Sequence, residues 1–126
     1  MAITPVKDMV MAAKAVITSL STDAAATEVA EGRAVFVDIR DPRELEREGK
    51  LPGAIHAPRG MLEFWVDPAS PYHKEALATD KRLILVCAGA WRSALATKTL
   101  QDMGLENVAE MEGGFSAWKA EGRPID

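Results

Sequence analysis

The chain alternates between short apolar runs and segments whose apolar residues recur every three or four positions. Runs of apolar, mostly branched residues predict buried strands at five places: 15–19, 34–38, 54–57, 83–86 and 107–111. Helical spacing and helix end signals predict helices at 4–14, 21–30, 42–48, 72–79, 93–103 and 115–120, with a short one opening at Arg59. This alternation predicts an α/β fold, a central, mostly parallel five-stranded sheet with helices on both faces.

Length and helix end signals set the domain organisation. A chain of 126 residues is long enough for one core but not for two. We expect residues 1–14 to form an N-terminal helical extension, with Thr4 as its cap and Pro5 at its first position, ahead of one domain at 15–126. The extension is predicted to pack on the domain, and a contact between two copies is the alternative.

Charge and hydropathy narrow the class of protein. The net charge of −4 argues against a nucleic-acid-binding surface. No apolar run approaches the roughly 20 residues that span a bilayer. Lys7, Asp8 and Lys14 interrupt the apolar residues near the N-terminus, which argues against a signal peptide. One cysteine excludes an internal disulfide and fits a reducing compartment. We therefore expect a cytoplasmic protein, a monomer or homodimer, with no nucleic-acid or membrane partner.

The single cysteine is the candidate nucleophile. Cys87 follows the strand at 83–86 and precedes the helix that opens at Ser93, so backbone N–H groups and the positive end of the helix dipole converge on it. Residues 88–90 are small, and Arg92 adds a positive charge that favours a thiolate. A lone cysteine after a core strand is more often an inert apolar residue. These features favour a reactive Cys87 over that alternative.

Three segments resemble the rhodanese family. Cys87-Ala-Gly-Ala-Trp-Arg92-Ser93 is similar to its active-site loop, a cysteine followed by four residues and Arg-Ser. Val37-Asp-Ile-Arg40, followed by Glu44 and by residues 49–58, is similar to its upstream signature. Gly-Gly-Phe-Ser-Ala-Trp at 113–118, followed by residues 122–125, is similar to its C-terminal signature. The segments lie in the family's order and extend over about residues 18–125, which implies a rhodanese-like fold.

The resemblance implies a sulfurtransferase that needs no metal and no organic cofactor. Cys87 would be catalytic, carrying the transferred sulfur as a persulfide. The substrate would be bound by the loop and one residue at its rim: Ala88, Gly89, Ala90, Trp91, Arg92, Ser93 and Arg59. Asp38 and Arg40 would support the neighbouring loops. An ion pair with Glu63 is an equal alternative for Arg59, and Trp91 is expected to be partly exposed, toward substrate or a protein partner. The family often has glycine where Ala90 stands, and we expect this change to be harmless.

The implied partners are a small anionic sulfur donor such as thiosulfate and a thiol or protein persulfide acceptor, with cyanide as the acceptor in vitro. Two alternatives stay open. One is a non-catalytic rhodanese-like module for protein binding or sulfur sensing, although such modules commonly lack the cysteine. The other is a cysteine-dependent phosphatase or arsenate reductase, whose loop arginine lies one residue further on. A cysteine protease is remote, because His56 is expected in the core and His73 in solvent, without a partner.

Overall fold

Five strands form one sheet in the computed structural model, which describes residues 2–126. They are β1 (Ser19–Leu20), β2 (Ala34–Asp38), β3 (Ile55–His56), β4 (Arg82–Val86) and β5 (Val108–Met111). Every neighbouring pair runs parallel, in the order β1-β5-β4-β2-β3. The predicted five-stranded sheet is confirmed. Its central strand is β4, whose carboxyl end leads directly to Cys87.

Six α-helices connect and cover the strands: α1 (Val6–Lys14), α2 (Thr22–Ala30), α3 (Pro42–Glu48), α4 (Leu62–Val66), α5 (Arg92–Asp102) and α6 (Gly114–Ala120). Single 3₁₀ turns lie at Arg59–Met61 and Glu75–Leu77. None of the helices between residues 2 and 126 is long and apolar enough to cross a membrane.

The sheet has an apolar core on each face, as alternating side chains of β4 require. Leu83 and Leu85 belong to a cluster with Leu100 of α5, on one face. Ile84 belongs to a second cluster with Phe115 of α6, on the other. All five of these side chains are at most 2% exposed. Helices therefore cover both faces, as predicted, and fix the position of the loop between β4 and α5.

The N-terminal segment differs from its prediction at two boundaries. α1 begins at Val6, because Pro5 has an extended backbone (ψ 141°) and takes the cap position predicted for Thr4. The first strand was predicted at 15–19, but the amides of Val16 and Ile17 both donate to the carbonyl of Ala13 in a turn that ends α1. Strand pairing is therefore delayed until Ser19.

The prediction of a helix at 72–79 is also wrong. Lys74 has an extended backbone (φ −113°, ψ 121°), and its amide donates to the carbonyl of Trp65 (3.0 Å). This tertiary contact removes the amide from any local helical hydrogen bond, so that only one 3₁₀ turn forms after it.

Candidate active site

The Cys87 side chain lies where the central strand gives way to α5. Its sulfur accepts hydrogen bonds from the backbone N–H groups of Ala90 (3.1 Å) and Ser93 (3.3 Å). Cys87 is 1% exposed. Because α5 begins at Arg92, the positive end of its dipole faces the sulfur. Amide donors and a helix N-terminus both stabilise an anionic sulfur, which is the environment predicted for a reactive cysteine.

Ala90 adopts a left-handed backbone conformation. Its φ is +65°, and it is the one non-glycine residue with positive φ in the stretch 2–126. The loop curls back at this point, which aims the Ala90 amide at the sulfur. The family's glycine thus answers a conformational need, and the expectation that alanine is harmless here is wrong, because an L-residue is strained in this region.

Arg92 is held by a carboxylate from another element. Its guanidinium donates to both oxygens of Glu44 in α3 (2.8 and 3.0 Å). This hydrogen bond lowers the pKa of Glu44, and the same bond raises the pKa of Arg92. Glu44 also accepts from the amide of Asp41 in a capping box at the start of α3, so the carboxylate is fixed from both sides. In the sequence, Glu44 stands out only as part of the upstream signature, and no local pattern indicates its contact with Arg92.

Asp38 and Arg40 form a buried pair beside the loop. Arg40 donates to both oxygens of Asp38 (2.9 and 2.7 Å) and to the carbonyl of Gly49 (2.9 Å). Its guanidinium also lies 4.0 Å from the centre of the Phe115 ring. Both charged residues are 1% exposed. These contacts connect β2, the segment after α3, and α6, which supports the structural role expected of the pair.

A second network lies beneath the nucleophile. The thiol of Cys87 donates to the hydroxyl oxygen of Ser93 (3.5 Å), and that hydroxyl donates to Glu110 of β5 (2.9 Å). The other oxygen of Glu110 accepts from Lys14 (2.8 Å) and Ser19 (2.7 Å). Glu110, Lys14 and Ser19 were not predicted as site residues. A single charged residue inside the short apolar strand at 107–111 was the one available signal for Glu110.

A cavity of about 450 Å³ opens beside the loop. Its lining includes Ala88 of the loop and charged residues of both signs: Arg40, Arg47, Lys119, Glu44 and Glu48. A larger cavity of about 520 Å³ lies at the opposite end of the strands, around Asp80 and Gly104, far from the sulfur. The smaller cavity is the one that borders the active-site loop, through Ala88.

The other residues considered in the sequence, Arg59, Trp91 and His56, differ in their contacts and exposure. Arg59 forms the i,i+4 ion pair with Glu63 (2.6 Å) that the sequence analysis held as an alternative. Trp91 is half-exposed, as expected. His56 donates to the carbonyl of Arg40 (2.7 Å), which agrees with the core role expected of it.

His73 differs from its prediction, because it is partly buried and its Nδ1 contacts the carbonyl of Trp65 (2.9 Å). No group of three or more His, Cys, Asp or Glu side chains is arranged to hold a metal ion between residues 2 and 126.

The chain is similar to known proteins in sequence and in structure. A model of the rhodanese-like domain matches residues 21–121. A sulfurtransferase from Allochromatium vinosum is 29% identical over 91 residues, which are 72% of this chain and 77% of that protein. The chain spans 61% of the length of a Bacillus subtilis relative that is 31% identical and has no assigned function.

Two solved structures are similar over nearly the whole chain. A protein of unknown function from Rhodopseudomonas palustris, described as a possible tyrosine phosphatase, is 50% identical, with a TM-score of 0.94 over 100% of this chain and 97% of that one. The polysulfide-sulfur transferase homodimer of Wolinella succinogenes is 34% identical, with a TM-score of 0.73 over 95% of this chain and 85% of that one.

Proposed function

Because the chain belongs to the rhodanese-like family, we propose that it is a sulfurtransferase that carries sulfur on Cys87 as a persulfide. One observation carries the proposal. The sulfur of the single cysteine accepts hydrogen bonds from two backbone N–H groups, one of Ala90 in the loop and one of Ser93 in the first turn of α5. Arg92 closes this loop at the fifth position after Cys87. The sulfurtransferases of Allochromatium vinosum and Wolinella succinogenes support the same chemistry.

The reaction divides into two displacements. The Cys87 thiolate attacks the outer sulfur of a donor such as thiosulfate, and the sulfur–sulfur bond of the donor breaks. Sulfite leaves with the bonding electrons, and the negative charge of Cys87 moves to the outer sulfur of the persulfide. An acceptor thiolate, or cyanide in vitro, then attacks that outer sulfur and releases the Cys87 thiolate. A covalent intermediate of this kind replaces one difficult step with two easier ones.

The loop supplies the charge stabilisation that both displacements need. Two amides already reach the Cys87 sulfur, and the other amides of residues 88–92 are available to the outer sulfur of the persulfide. Arg92, fixed by Glu44, keeps a positive charge beside the loop.

The acceptor must come from outside the chain. With one cysteine, the protein has no second thiol to resolve the persulfide. A small thiol or the cysteine of another protein fits this role, and the reducing cytoplasm that we propose as its location provides both.

A phosphatase is the second candidate, favoured by the description of the Rhodopseudomonas palustris structure. Loop length argues against it. A tetrahedral phosphate needs a wider ring of amides than one sulfur atom does, and here Arg92 follows Cys87 by only five residues. The bidentate bond between Arg92 and Glu44 also occupies the guanidinium face that a phosphate would use.

Intact mass after incubation with thiosulfate tests the proposal. Wild type should gain about 32 Da, one sulfur atom in covalent linkage, and cyanide should remove it. Cys87→Ser should gain nothing. Hydrolysis of an aryl phosphate by wild type but not by Cys87→Ser would instead establish the phosphatase. If the protein neither gains sulfur from thiosulfate or polysulfide nor hydrolyses the aryl phosphate, the remaining interpretation is a non-catalytic binding module.

A further inference from the structure

Glu110 is a buried carboxylate whose three hydrogen bonds all converge from different elements. Oε2 accepts from Lys14 of α1 and Ser19 of β1, and Oε1 accepts from Ser93 of α5. Glu110 and Ser93 are both 0% exposed. A buried carboxylate is costly unless it is paired and hydrogen-bonded, and this one has an ammonium and two hydroxyl donors. Both carboxylate oxygens of Glu110 are therefore occupied as hydrogen-bond acceptors.

This arrangement fixes the direction of the Ser93 hydroxyl. Serine has one hydroxyl proton, and Ser93 gives it to Glu110. Toward the Cys87 sulfur, 3.5 Å away, Ser93 presents only oxygen lone pairs. Those lone pairs accept the S–H of a neutral thiol but repel the charge of a thiolate. The Cys87 sulfur thus has two N–H donors that favour the thiolate and one oxygen that opposes it.

We propose that Glu110 is a positioning residue that turns the Ser93 hydroxyl away from Cys87 and thereby sets the pH range in which Cys87 ionises. The arrangement opposes charge on the Cys87 sulfur more than on the outer sulfur of a persulfide, because the Ser93 hydroxyl contacts the Cys87 sulfur itself (3.5 Å). Its use in sulfur transfer rests on the proposed function. Ionisation of Cys87 itself is measurable without any transfer.

Other charged groups also face the nucleophile. Arg92 of α5 interacts with Cys87 and is itself paired with Glu44 of α3. Lys14 of α1 lies on the far oxygen of Glu110. These charges act on Cys87 through space, so their effects do not require a hydroxyl at Ser93. If Glu110 acts by positioning the Ser93 hydroxyl, its effect on Cys87 ionisation requires Ser93. If Glu110 acts only through its charge, the effect does not require Ser93.

Glu110→Gln is the informative substitution because the surroundings orient the new amide. Lys14 and Ser19 both donate, so the amide oxygen faces them and the NH₂ faces Ser93. Ser93 then accepts from Gln and is free to donate its proton to the Cys87 thiolate. A hydrogen bond to a charged group shifts an ionisation midpoint by about one pH unit. We therefore expect the midpoint of Cys87 ionisation to fall by about one pH unit, which is about a tenfold change in the thiolate-to-thiol ratio at a given pH.

The test follows the thiolate's ultraviolet absorbance as a function of pH, with Cys87→Ser as the blank. It compares wild type, Glu110→Gln, Ser93→Ala and the double variant, and Glu112→Gln serves as an exposed carboxylate control on the same segment. We expect the Glu110→Gln shift to be much smaller when Ser93 is already alanine. An equal shift in both backgrounds, no shift, or a rise would overturn the proposal.

Ser93→Ala provides an independent measurement if Glu110→Gln fails to fold. Removing an oxygen that only accepts should lower the midpoint of Cys87 ionisation. A midpoint that rises or stays unchanged would mean that Ser93 does not oppose the thiolate, and the proposal would be wrong. None of these outcomes depends on sulfur loading, so a failure here is distinct from a failure of the sulfurtransferase proposal.

Discussion

Ala90 carries backbone strain at the residue that aims an amide at the nucleophile. A left-handed conformation costs an L-residue about 1–2 kcal/mol, whereas glycine's extra freedom in the unfolded chain costs about 0.5–1 kcal/mol. Ala90 is 2% exposed, so glycine also loses a buried methyl group worth about 0.8 kcal/mol. These contributions nearly cancel, and Ala90→Gly should change the free energy of unfolding by less than about 0.5 kcal/mol. Urea denaturation measures the change. Ala88→Gly, at a loop position without positive φ, should lose stability instead, and a loss of similar size at both positions would contradict the strain argument.

Glu44 should make stability depend on pH in the acid range. Its hydrogen bond with Arg92 lowers the pKa of Glu44 in the folded state. The contribution is thus fully present above the ordinary glutamate value of roughly 4.3 and is lost as the pH falls through the lower, folded value. Wild type should lose more stability than Glu44→Gln between about pH 5 and pH 3.

Urea denaturation at several pH values measures this difference. Glu46→Gln removes an exposed carboxylate from the same helix and should keep the wild-type pH slope. If Glu44→Gln and wild type have parallel pH profiles, the ion pair with Arg92 does not contribute to folding.

Residue identities at the site follow from the sequence to different degrees. Cys87 and its loop could be predicted because a short motif at a strand–helix junction specifies them. The partners of the loop could not. Glu44 lies 48 positions from Arg92, and Glu110 lies 17 positions from Ser93, each in a separate element. Such contacts depend on how elements pack in three dimensions, and one sequence has no local signal for that.

At the scale of elements, the first turn of α6 holds the active-site loop. The amides of Phe115 and Ser116 donate to the carbonyls of Cys87 (2.8 Å) and Ala88 (3.0 Å). This approach requires glycine at 114, because a Cβ there would overlap both carbonyl oxygens and its φ is +61°. The loop is therefore shaped from outside as well as by its own residues.

Gly114→Ala should destabilise the fold by about 3 kcal/mol, since overpacking and a left-handed alanine each cost about 1–2 kcal/mol or more. Thermal or urea unfolding measures the loss. Gly60→Ala is the matched control, because a Cβ at Gly60 meets nothing within 4 Å and its φ is not positive. If the two variants were similarly stable, the backbone around residue 114 would be able to shift enough to accommodate a Cβ, and the argument from close contact would be wrong.

Elements were predictable where local signals agree with packing. The strands at 34–38 and 83–86, and the helix capped by Ser21, are set by their own residues, and the structure confirms them. The segment at 72–79 has helix-forming residues, but the bond from Lys74 to Trp65 overrides that preference. The helix prediction for this segment is wrong because helix propensity carries no information about tertiary contacts.

At the scale of the whole molecule, α1 packs as part of the core. Val10 and Ala13 lie against Ala94 of α5 and are at most 3% exposed, whereas Val6 is 53% exposed. Val10→Ala should lower the free energy of unfolding by about 1.5–2.5 kcal/mol, and Val6→Ala by less than about 0.5 kcal/mol. Urea denaturation of each variant, followed as a single unfolding transition, measures the two changes in the free energy of unfolding. If Val10→Ala were as mild as Val6→Ala, α1 would be an independent extension of a domain at 15–126.

The pairing of β1 with β5 joins residues from the two ends of the chain, with Ser19 opposite Glu110. Loop closure over such a distance is slow relative to the formation of helices. During synthesis from the N-terminus, β1 has no partner until the last strand has left the ribosome. The carboxylate beneath Cys87 thus reaches Lys14, Ser19 and Ser93 only when β5 is in place. A nascent or truncated chain that ends before residue 110 contains the nucleophile but lacks this network, so Cys87 acquires its mature surroundings only after β5 has been synthesised.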